Sequence, residues 1–241
     1  MDGAGDVALN LVLMGPPGAG KGTQAERFAV DHGIPKISTG DILRAAVHDD
    51  TPVGKQVSAM MNRGELVSDD LIIAIVKERL SRPDAVRGFV LDGFPRTVPQ
   101  ADALDELLAG RGPLIVVEIQ VPDDVLVSRV RSRRICEDCG RTVSAFGDDP
   151  AHVAKCETCG GRLVTRSDDG ENVVRDRLKL YWRETQPMIA HYHTRPTYRV
   201  VNGAQPPERV RDDLVAAVAS ALGKPAADLA QVTATRPGSN A

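Results

Sequence analysis

The spacing of hydrophobic residues predicts short buried strands that alternate with amphipathic helices. Residues 8–14 (ALNLVLM) are almost wholly apolar and end at Gly15, which is typical of a strand buried on both faces. The strands predicted in this way are residues 8–14, 35–37, 88–91, 114–121 and 198–201. The helices predicted from their periodicity are residues 21–30, 71–80, 100–109, 123–134, 173–192 and 207–222. This alternation predicts an α/β fold of right-handed βαβ units, with a mainly parallel sheet covered on both faces.

Two segments interrupt the alternation. Residues 38–67 are mostly helical without a strand, and residues 132–166 are rich in cysteine, glycine and short β-like pieces. Because open parallel sheets bind ligands at the carboxyl ends of their strands, we expect both segments to be insertions at that edge. The remaining residues 1–37, 68–131 and 167–223 form the predicted core. Residues 224–241 lose the periodicity, and we expect a disordered tail there.

Composition and length fit a protein with a real core and no membrane partner. The chain has 241 residues, of which 42% are hydrophobic and 26% charged, so it can bury a core and is not globally disordered. Its longest apolar runs are far shorter than the ~18 residues of a membrane span. Asp2 and Asp6, without an early Lys or Arg, argue against a signal peptide. We therefore expect a cytoplasmic protein.

The charge balance argues against nucleic acid as a partner. The formal net charge is −3, so no global basic field attracts a phosphate backbone. Aromatic residues make up only 3% of the chain, which leaves little for stacking on bases. We expect small-molecule partners instead.

A glycine-rich loop with a lysine follows the first predicted strand. In the sequence GPPGAGKGT (residues 15–23), backbone N–H groups can converge on phosphate oxygens at the start of a helix, and the lysine can reach the β- and γ-phosphates. Gly22 stands where the usual pattern has Ser or Thr, which favours water-mediated rather than direct Mg²⁺ binding by the hydroxyl of Thr23. The residues predicted to bind a nucleoside triphosphate here are Gly15, Gly18, Gly20, Lys21, Gly22 and Thr23.

Three further segments separate this chain from a switch GTPase or an ATPase motor. They are STGD (38–41) with Arg44, GELV (64–67), and LDGFPRT (91–97) with Gln100. Together with the phosphate loop they resemble the nucleoside monophosphate kinases, most closely the adenylate kinase family, in matching order from about residue 9 to residue 222. The resemblance implies a P-loop kinase core with a five-stranded parallel sheet, a helical AMP-binding insertion and a lid. It also implies a reversible transfer from Mg-ATP to AMP that gives two ADP.

The second set of residues suits a nucleoside monophosphate. Arg44, one turn into a helix, and Arg96, beyond a strand end, can hold the dianionic α-phosphate with two guanidinium forks. Asp92 ends an apolar strand, as a Walker B acid does, and would hold a water on Mg²⁺. The resemblance implies an adenine pocket and AMP site that also include Thr39, Leu66, Val67, Gly93 and Gln100. Asp41 is either part of this site or only a first-turn acid favoured by the helix dipole, and both readings remain open.

Four more arginines complete the predicted cationic set. Arg129 and Arg133 are four apart on a predicted helix and so share one face. The resemblance implies that these two, with Arg166 and Arg177, close over the ATP phosphates and the transferred group, the last two also reaching AMP. No general base is needed, because the attacking AMP oxygen is already anionic. The predicted catalytic residues are Lys21, Asp92, Arg96, Arg133, Arg166 and Arg177.

The four cysteines form two closely spaced pairs in the second insertion. Cys136 and Cys139 are separated by 16 residues from Cys156 and Cys159, a pattern typical of a closed tetrahedral zinc site with a structural role. Iron in the same geometry remains open from the ligands alone. Because a ~30-residue insertion buries little surface, we expect the metal to stabilise residues 132–166 as a lid that moves as a rigid body.

The sequence thus predicts a monomeric ATP:AMP phosphotransferase with Mg²⁺ and structural zinc. A related alternative is a kinase of UMP, CMP or GMP, because single base contacts discriminate only modestly. A different alternative is a P-loop switch or a zinc-ribbon module that binds nucleic acid. Against the switch, no Asn/Thr-Lys-x-Asp motif for reading guanine occurs. Against the module stand the acidic charge and the scarce aromatics.

Overall fold

The computed structural model describes residues 8–63, 65–144, 155–165 and 169–229. The main sheet is formed by β1 (Leu9–Met14), β2 (Lys36–Ser38), β3 (Gly88–Asp92), β4 (Leu114–Gln120) and β8 (Tyr198–Asn202). Its five strands are all parallel, in the order β2-β3-β1-β4-β8. The predicted α/β class with a five-stranded parallel sheet is therefore confirmed.

Helices cover both faces of this sheet. They are α1 (Lys21–His32), α2 (Thr39–His48), α3 (Pro52–Asn62), α4 (Asp69–Leu80), α5 (Val98–Leu107), α6 (Asp123–Arg131), α7 (Glu171–Leu180), α8 (Gln186–His193), α9 (Pro207–Ala221) and α10 (Ala226–Leu229). Alternate residues of β1 face opposite sides, so Leu11 packs in one core cluster with Phe28 and Leu214, while Val12 packs in the other with Phe89. All six residues of β1 are buried, as its almost wholly apolar sequence predicts.

The register of the sheet places the phosphate loop beside two other strand ends. Leu13 on β1 pairs with Asp92 on β3, and Met14 pairs with Glu118 on β4. The three strands thus reach the carboxyl edge together, with the loop directly after β1. The loops that directly follow β1 and β3 therefore begin at this edge, which is where parallel sheets bind their ligands.

The first insertion is a pair of tightly packed helices, α2 and α3, which begins where β2 ends. Ser38 starts α2 by accepting the Asp41 backbone N–H (3.2 Å), and Thr51 starts α3 by accepting that of Gly54 (3.0 Å). A Cβ at Gly54 would lie 2.0 Å from the Ala46 carbonyl oxygen. Only glycine therefore allows α3 to approach α2 this closely.

The second insertion contains a small antiparallel sheet, which corrects one prediction. Its strands are β5 (Arg133–Cys136), β6 (Thr142–Ser144) and β7 (Leu163–Val164), in the order β6-β5-β7. The helix predicted over residues 123–134 ends at Arg131, because Ser132 bonds back to the Arg129 carbonyl and the following residues pair with two strands. Arg133 thus lies on a strand, and the expectation that it shares a helix face with Arg129 is wrong.

The helix predicted over residues 173–192 is interrupted. α7 and α8 are joined by a π-helical turn, Tyr181–Thr185. Pro187 lies in the first turn of α8 and has no N–H to donate one turn back, so the regular hydrogen-bond ladder cannot pass through it. The regular α-helical hydrogen-bond pattern of α7 therefore does not run on into α8.

The chain stays ordered beyond the predicted core boundary at residue 223. α10 forms one helical turn, and Leu229 is fully buried in the main core cluster. The expectation of disorder from residue 224 therefore does not hold for residues 224–229, because a single apolar side chain anchors them; residues 230–241 lie outside the described part of the chain. None of the described helices is long and apolar enough to cross a bilayer.

Candidate active site

The phosphate loop curls between β1 and α1. Gly15 has φ +136°, and a Cβ there would lie 2.4 Å from the Ile119 carbonyl oxygen, so the loop needs glycine to turn against β4. Gly18 and Gly20 also have positive φ, and Gly20 stands at the N-cap of α1. The loop therefore presents backbone N–H groups and the positive end of a helix at the carboxyl edge of the sheet.

Lys21 lies across the mouth of this loop. Its Nζ donates to the carbonyl oxygens of Gly15 (2.7 Å) and Pro16 (3.0 Å). The pKa of Lys21 is lowered from 10.5 to about 8, because burial and three nearby arginines lower it more than Asp92 raises it. The three arginines are Arg96, Arg177 and Arg133. Four other predicted catalytic residues thus lie close enough to Lys21 to affect its pKa.

Asp92 reaches the start of α1. Its Oδ2 lies 3.3 Å from the position that a Cβ of Gly22 would take. The missing side chain at position 22 therefore leaves room for a carboxylate beside the phosphate loop. Thr23 follows in the first turn of α1 and is partly exposed.

A cleft of about 580 Å³, counting the part that opens to solvent, extends from this point between α2, α4 and the end of β3. Its lining includes Thr39, Arg44, Leu66, Val67, Gly93, Arg96, Gln100 and Arg177. All the residues predicted to bind the monophosphate are among them, apart from Arg166. Arg166 lies outside the described residues, as does Gly64 of the GELV segment. Arg44 and Arg96 thus face one cleft that also reaches Arg177, rather than pointing away from the phosphate loop.

The phosphate end of the cleft is braced by local hydrogen bonds. Arg96 Nε donates to the Gly93 carbonyl oxygen (2.8 Å), which Thr39 Oγ1 also contacts (3.0 Å). Arg44 Nη2 donates to Asp41 Oδ1 (2.5 Å), and Lys36 also pairs with Asp41 (3.3 Å). Asp41 is therefore a direct partner of a predicted phosphate-binding arginine.

Sequence reasoning missed an acid at the other end of the cleft. Gln100, which is 2% exposed, donates through Nε2 to Asp69 Oδ1 (2.7 Å) and accepts the Arg96 backbone N–H at Oε1 (2.8 Å). Thr97 Oγ1 donates to the second oxygen of Asp69 (3.0 Å). In the sequence, Asp69 shows only the signal of a first-turn acid of a helix.

A second missed acid, Asp169, joins the second insertion to α7. The Asp169 side chain is fully buried; it accepts from Arg133 Nε (2.6 Å) and Nη2, and from Arg177 Nη1 (3.5 Å). One carboxylate thus gathers an arginine of β5 and an arginine of α7. In the sequence, Asp169 is only the second of two adjacent aspartates, which gives no signal for this role.

Arg129 is fixed behind the phosphate loop. Its Nη2 donates to the Gly203 carbonyl oxygen (2.8 Å), in the turn after β8. That turn also packs on the phosphate loop, because a Cβ at Gly203 would lie 3.3 Å from the Ala19 carbonyl oxygen. Arg129 is thus held, through Gly203, beside the glycine-rich loop, and its binding of ATP stays a prediction.

The four cysteines converge in the second insertion. Their Sγ atoms all lie within 4.8 Å of one another, with 3.4 Å between Cys136 and Cys159 and 3.7 Å between Cys139 and Cys156. A tetrahedron with Zn–S bonds of ~2.3 Å has S–S edges of about 3.8 Å. The backbone N–H groups of Thr158 and Cys159 lower the pKa of Cys156 to about 6, which favours the thiolate that a metal needs. The pKa of Cys159 is raised instead, because the neighbouring thiols outweigh the Gly161 N–H that lowers it, so the fit to a metal rests on the sulfur distances. The donor set therefore fits zinc.

Comparisons with known proteins point to one family. The family model described as adenylate kinase matches residues 13–197. The adenylate kinase of Geobacillus sp. is 49% identical over 208 residues, which are 86% of this chain and 96% of that protein. The adenylate kinase of Bacillus subtilis is 48% identical over 208 residues, with the same coverage. That of Symbiobacterium thermophilum is 47% identical over 212 residues, 87% of this chain and 98% of that protein.

Proposed function

Because the chain belongs to the adenylate kinase family, we propose that it is an ATP:AMP phosphotransferase that converts Mg-ATP and AMP reversibly into two ADP. The observation that carries this proposal is the meeting of two anion sites. Lys21 of the phosphate loop shares its electrostatic surroundings with Arg96 and Arg177, which line the neighbouring cleft. A phosphoryl group can therefore pass from one site to the other without crossing solvent.

The two phosphates of the reaction need this cationic cage. At neutral pH, ATP brings roughly four negative charges and AMP roughly two, and like charges a few ångströms apart repel strongly in a dry site. Lys21, Arg44, Arg96, Arg133 and Arg177 offset them, and Arg166 joins this set in our proposal. Their positions on separate elements let them surround the phosphates rather than contact one side.

The chemical step uses positioning and charge rather than a base. The phosphate oxygen of AMP, held by Arg44 and Arg96, attacks the γ-phosphorus in line. The bond to the bridging oxygen breaks, and that oxygen leaves as the terminal oxygen of ADP. Lys21 and the loop amides stabilise the charge that develops there. No proton has to be removed, because the attacking oxygen is already an anion.

Mg²⁺ bound with ATP would neutralise phosphate charge. The oxygen chemistry of Asp92 beside the loop fits this hard cation, and the partly exposed Thr23 hydroxyl lies at the same helix start. We propose that Asp92 and Thr23 hold the ion through water, since Gly22 displaces the hydroxyl from the usual position.

We further propose that the two insertions close on the two nucleotides. Residues 38–67 would cover AMP, with Thr39, Gln100 and the main chain at Leu66 and Val67 at the adenine, and Gly93 at the phosphate. Residues 132–166 would form the lid over ATP, on a core of residues 1–37, 68–131 and 167–223. Asp169 supports this division, because it couples Arg133 of the lid sheet to Arg177 of the core. Closure would exclude the water that otherwise hydrolyses ATP.

We propose that the four cysteines hold one structural zinc ion per chain, and that the protein works as a cytoplasmic monomer. The sulfur geometry supports zinc, and four thiols without a disulfide support a reducing compartment. A monomer is supported by the fact that one chain supplies residues for both anion sites.

An assay of the purified protein tests the reaction directly. With Mg-ATP and AMP it should produce two ADP for each AMP consumed, as measured by ion-exchange chromatography. UMP, CMP and GMP should be much poorer acceptors in the same assay. No ADP with AMP, or a better rate with another monophosphate, would reject the proposal. Elemental analysis should find about one zinc per chain, and iron in its place would reject the metal assignment.

A further inference from the structure

The amide of Gln100 is held at both ends by groups of opposite chemistry. Its Nε2 faces the carboxylate of Asp69, and its Oε1 faces the backbone N–H of Arg96. A carboxylate only accepts hydrogen bonds, and a backbone N–H only donates them. The orientation of this amide, which electron density often leaves ambiguous, is therefore dictated here by its neighbours.

Turning the amide over would create two repulsive contacts. Oε1 would then face the carboxylate of Asp69, and the NH₂ group would face the Arg96 N–H. The side chain is 2% exposed, so water cannot relieve either contact. Asp69 is itself oriented by Thr97 Oγ1, which donates to its other carboxylate oxygen (3.0 Å). These hydrogen bonds join Asp69, Thr97, Gln100 and the backbone of Arg96, and the carboxylate of Asp69 is the only charged group that takes part in them.

Gln100 lines the cleft, so the orientation of its amide decides which base edge it can meet. After these two bonds, the amide still offers one acceptor lone pair and one donor hydrogen. Adenine presents a donor at N6 and an acceptor at N1. A 6-oxopurine, such as hypoxanthine, presents the reverse: an acceptor at O6 and a donor at N1. An amide fixed in one orientation can therefore form hydrogen bonds with adenine but not with a 6-oxopurine bound in the same position.

We infer that Asp69 is a positioning residue that sets the acceptor specificity of the cleft for adenine over 6-oxopurines, by fixing the amide of Gln100. This inference rests on the proposed function, in which Gln100 faces the base of the acceptor nucleotide. Asp69 acts from a different helix, because it is the first residue of α4 whereas Gln100 lies in the first turn of α5. It touches Gln100 and not the reacting atoms.

The test is the ratio of kcat/KM for AMP to kcat/KM for inosine monophosphate, measured with Mg-ATP in the wild type and in Asp69→Asn. Asparagine has the same shape, but its NH₂ group can donate to the Oε1 of a reversed Gln100, so only the backbone N–H of Arg96 still opposes the reversed orientation. We expect the AMP-to-IMP ratio to fall at least tenfold, mainly through the KM for AMP, with the KM for ATP unchanged.

Asp70→Asn is the matched control, because Asp70 is the next residue on α4 and is exposed. The AMP-to-IMP ratio of kcat/KM for Asp70→Asn should equal that of the wild type. Should Asp69→Asn not fold, Asp69→Ser removes the carboxylate without added bulk and must lower the same ratio. Parallel losses for both acceptors, or an equal effect of Asp70→Asn, would overturn the inference and leave the proposed function intact. A wild type without activity on AMP would overturn both.

Discussion

The phosphate-loop region and the lid are stabilised in different ways. In the loop region, β1 lies at the centre of the sheet and all its side chains are buried between two layers of helices. In the described part of the lid, residues 133–144 and 155–165, the only buried side chains are those of Cys136 and Cys156. The core is thus held by apolar burial, and the lid by thiols that fit a metal.

The difference follows from what each region does. The loop must keep its N–H groups and Lys21 in place while phosphates come and go, and a fully buried strand supplies that rigidity. In our proposal the lid moves away from the core, and a segment that moves in this way cannot share the core's hydrophobic contacts. A metal gives a small segment its own shape without tying it to the rest.

The largest expected effect comes from a charge that the core holds in place. Arg96→Ala should lower kcat/KM for AMP about 100- to 1,000-fold, equivalent to about 2.7–4 kcal/mol, because the bound phosphate loses paired donors. Arg87→Ala is the control, since Arg87 is an exposed arginine just before the opposite end of the same strand, β3. A near-normal rate for Arg96→Ala in steady-state assays would remove it from the site.

The next effect separates the lid from the core. Cys139→Ser should lower the Tm by about 5 °C or more and abolish stoichiometric zinc, because three thiolates hold the metal more weakly. At 20 °C, kcat should fall much less, since none of the cysteines contacts substrate. Lost activity with an unchanged Tm would contradict a structural role.

A core substitution provides the contrast. Leu11→Ala should cost about 2–5 kcal/mol of unfolding free energy, because Leu11 is fully buried on β1. This loss should be the same with and without a zinc chelator, whereas chelation should reproduce the Cys139→Ser effect in the wild type. Differential scanning calorimetry measures both. If chelation also deepened the Leu11→Ala loss, the two regions would not be stabilised independently.

A smaller effect should appear in the pH profile. Lys21 has its pKa lowered to about 8, so in the free enzyme it is protonated below pH 8 and loses its charge above it. We expect kcat/KM for ATP to fall about tenfold per unit above pH 8. Lys21→Arg, although slower overall, should lose this alkaline limb because arginine stays protonated. A flat wild-type profile up to pH 9.5 would contradict the shift.

The smallest effect should come from the surface of the lid. Arg162 forms a bidentate ion pair with Glu137 (2.7 and 2.8 Å) that links the two cysteine turns but is exposed to solvent. Arg162→Ala should therefore hardly change Tm or zinc content, and the change in Tm should be smaller still at high salt. A loss as large as that of Cys139→Ser would mean that charge, and not metal, shapes the lid.

The sequence predicted what depends on local patterns. The apolar run of β1, the glycines before Lys21 and the paired cysteines all have a meaning that is independent of distant residues. They located the sheet, the glycine-rich loop and the cluster of four cysteines. The tertiary neighbours of these motifs, by contrast, have no such spacing signal.

What the sequence did not predict depends on contacts between distant segments. Arg133 leaves the helix because β6 and β7 pair with its strand, and helical periodicity cannot register that competition. Asp69 and Asp169 meet partners 31 and 36 residues away, and an acid in a first turn or beside another acid has many ordinary uses. Such residues become visible only when the fold brings their partners together.

The short turn at the end of the described chain has a practical consequence for anyone who trims or tags this protein. Leu229 is buried in the main core cluster, so a protein truncated at Gly223 would expose an apolar cavity where that side chain packs. Such a truncated protein should aggregate on storage. Affinity tags are therefore better attached after residue 241 than directly after residue 223, where the helical periodicity ends.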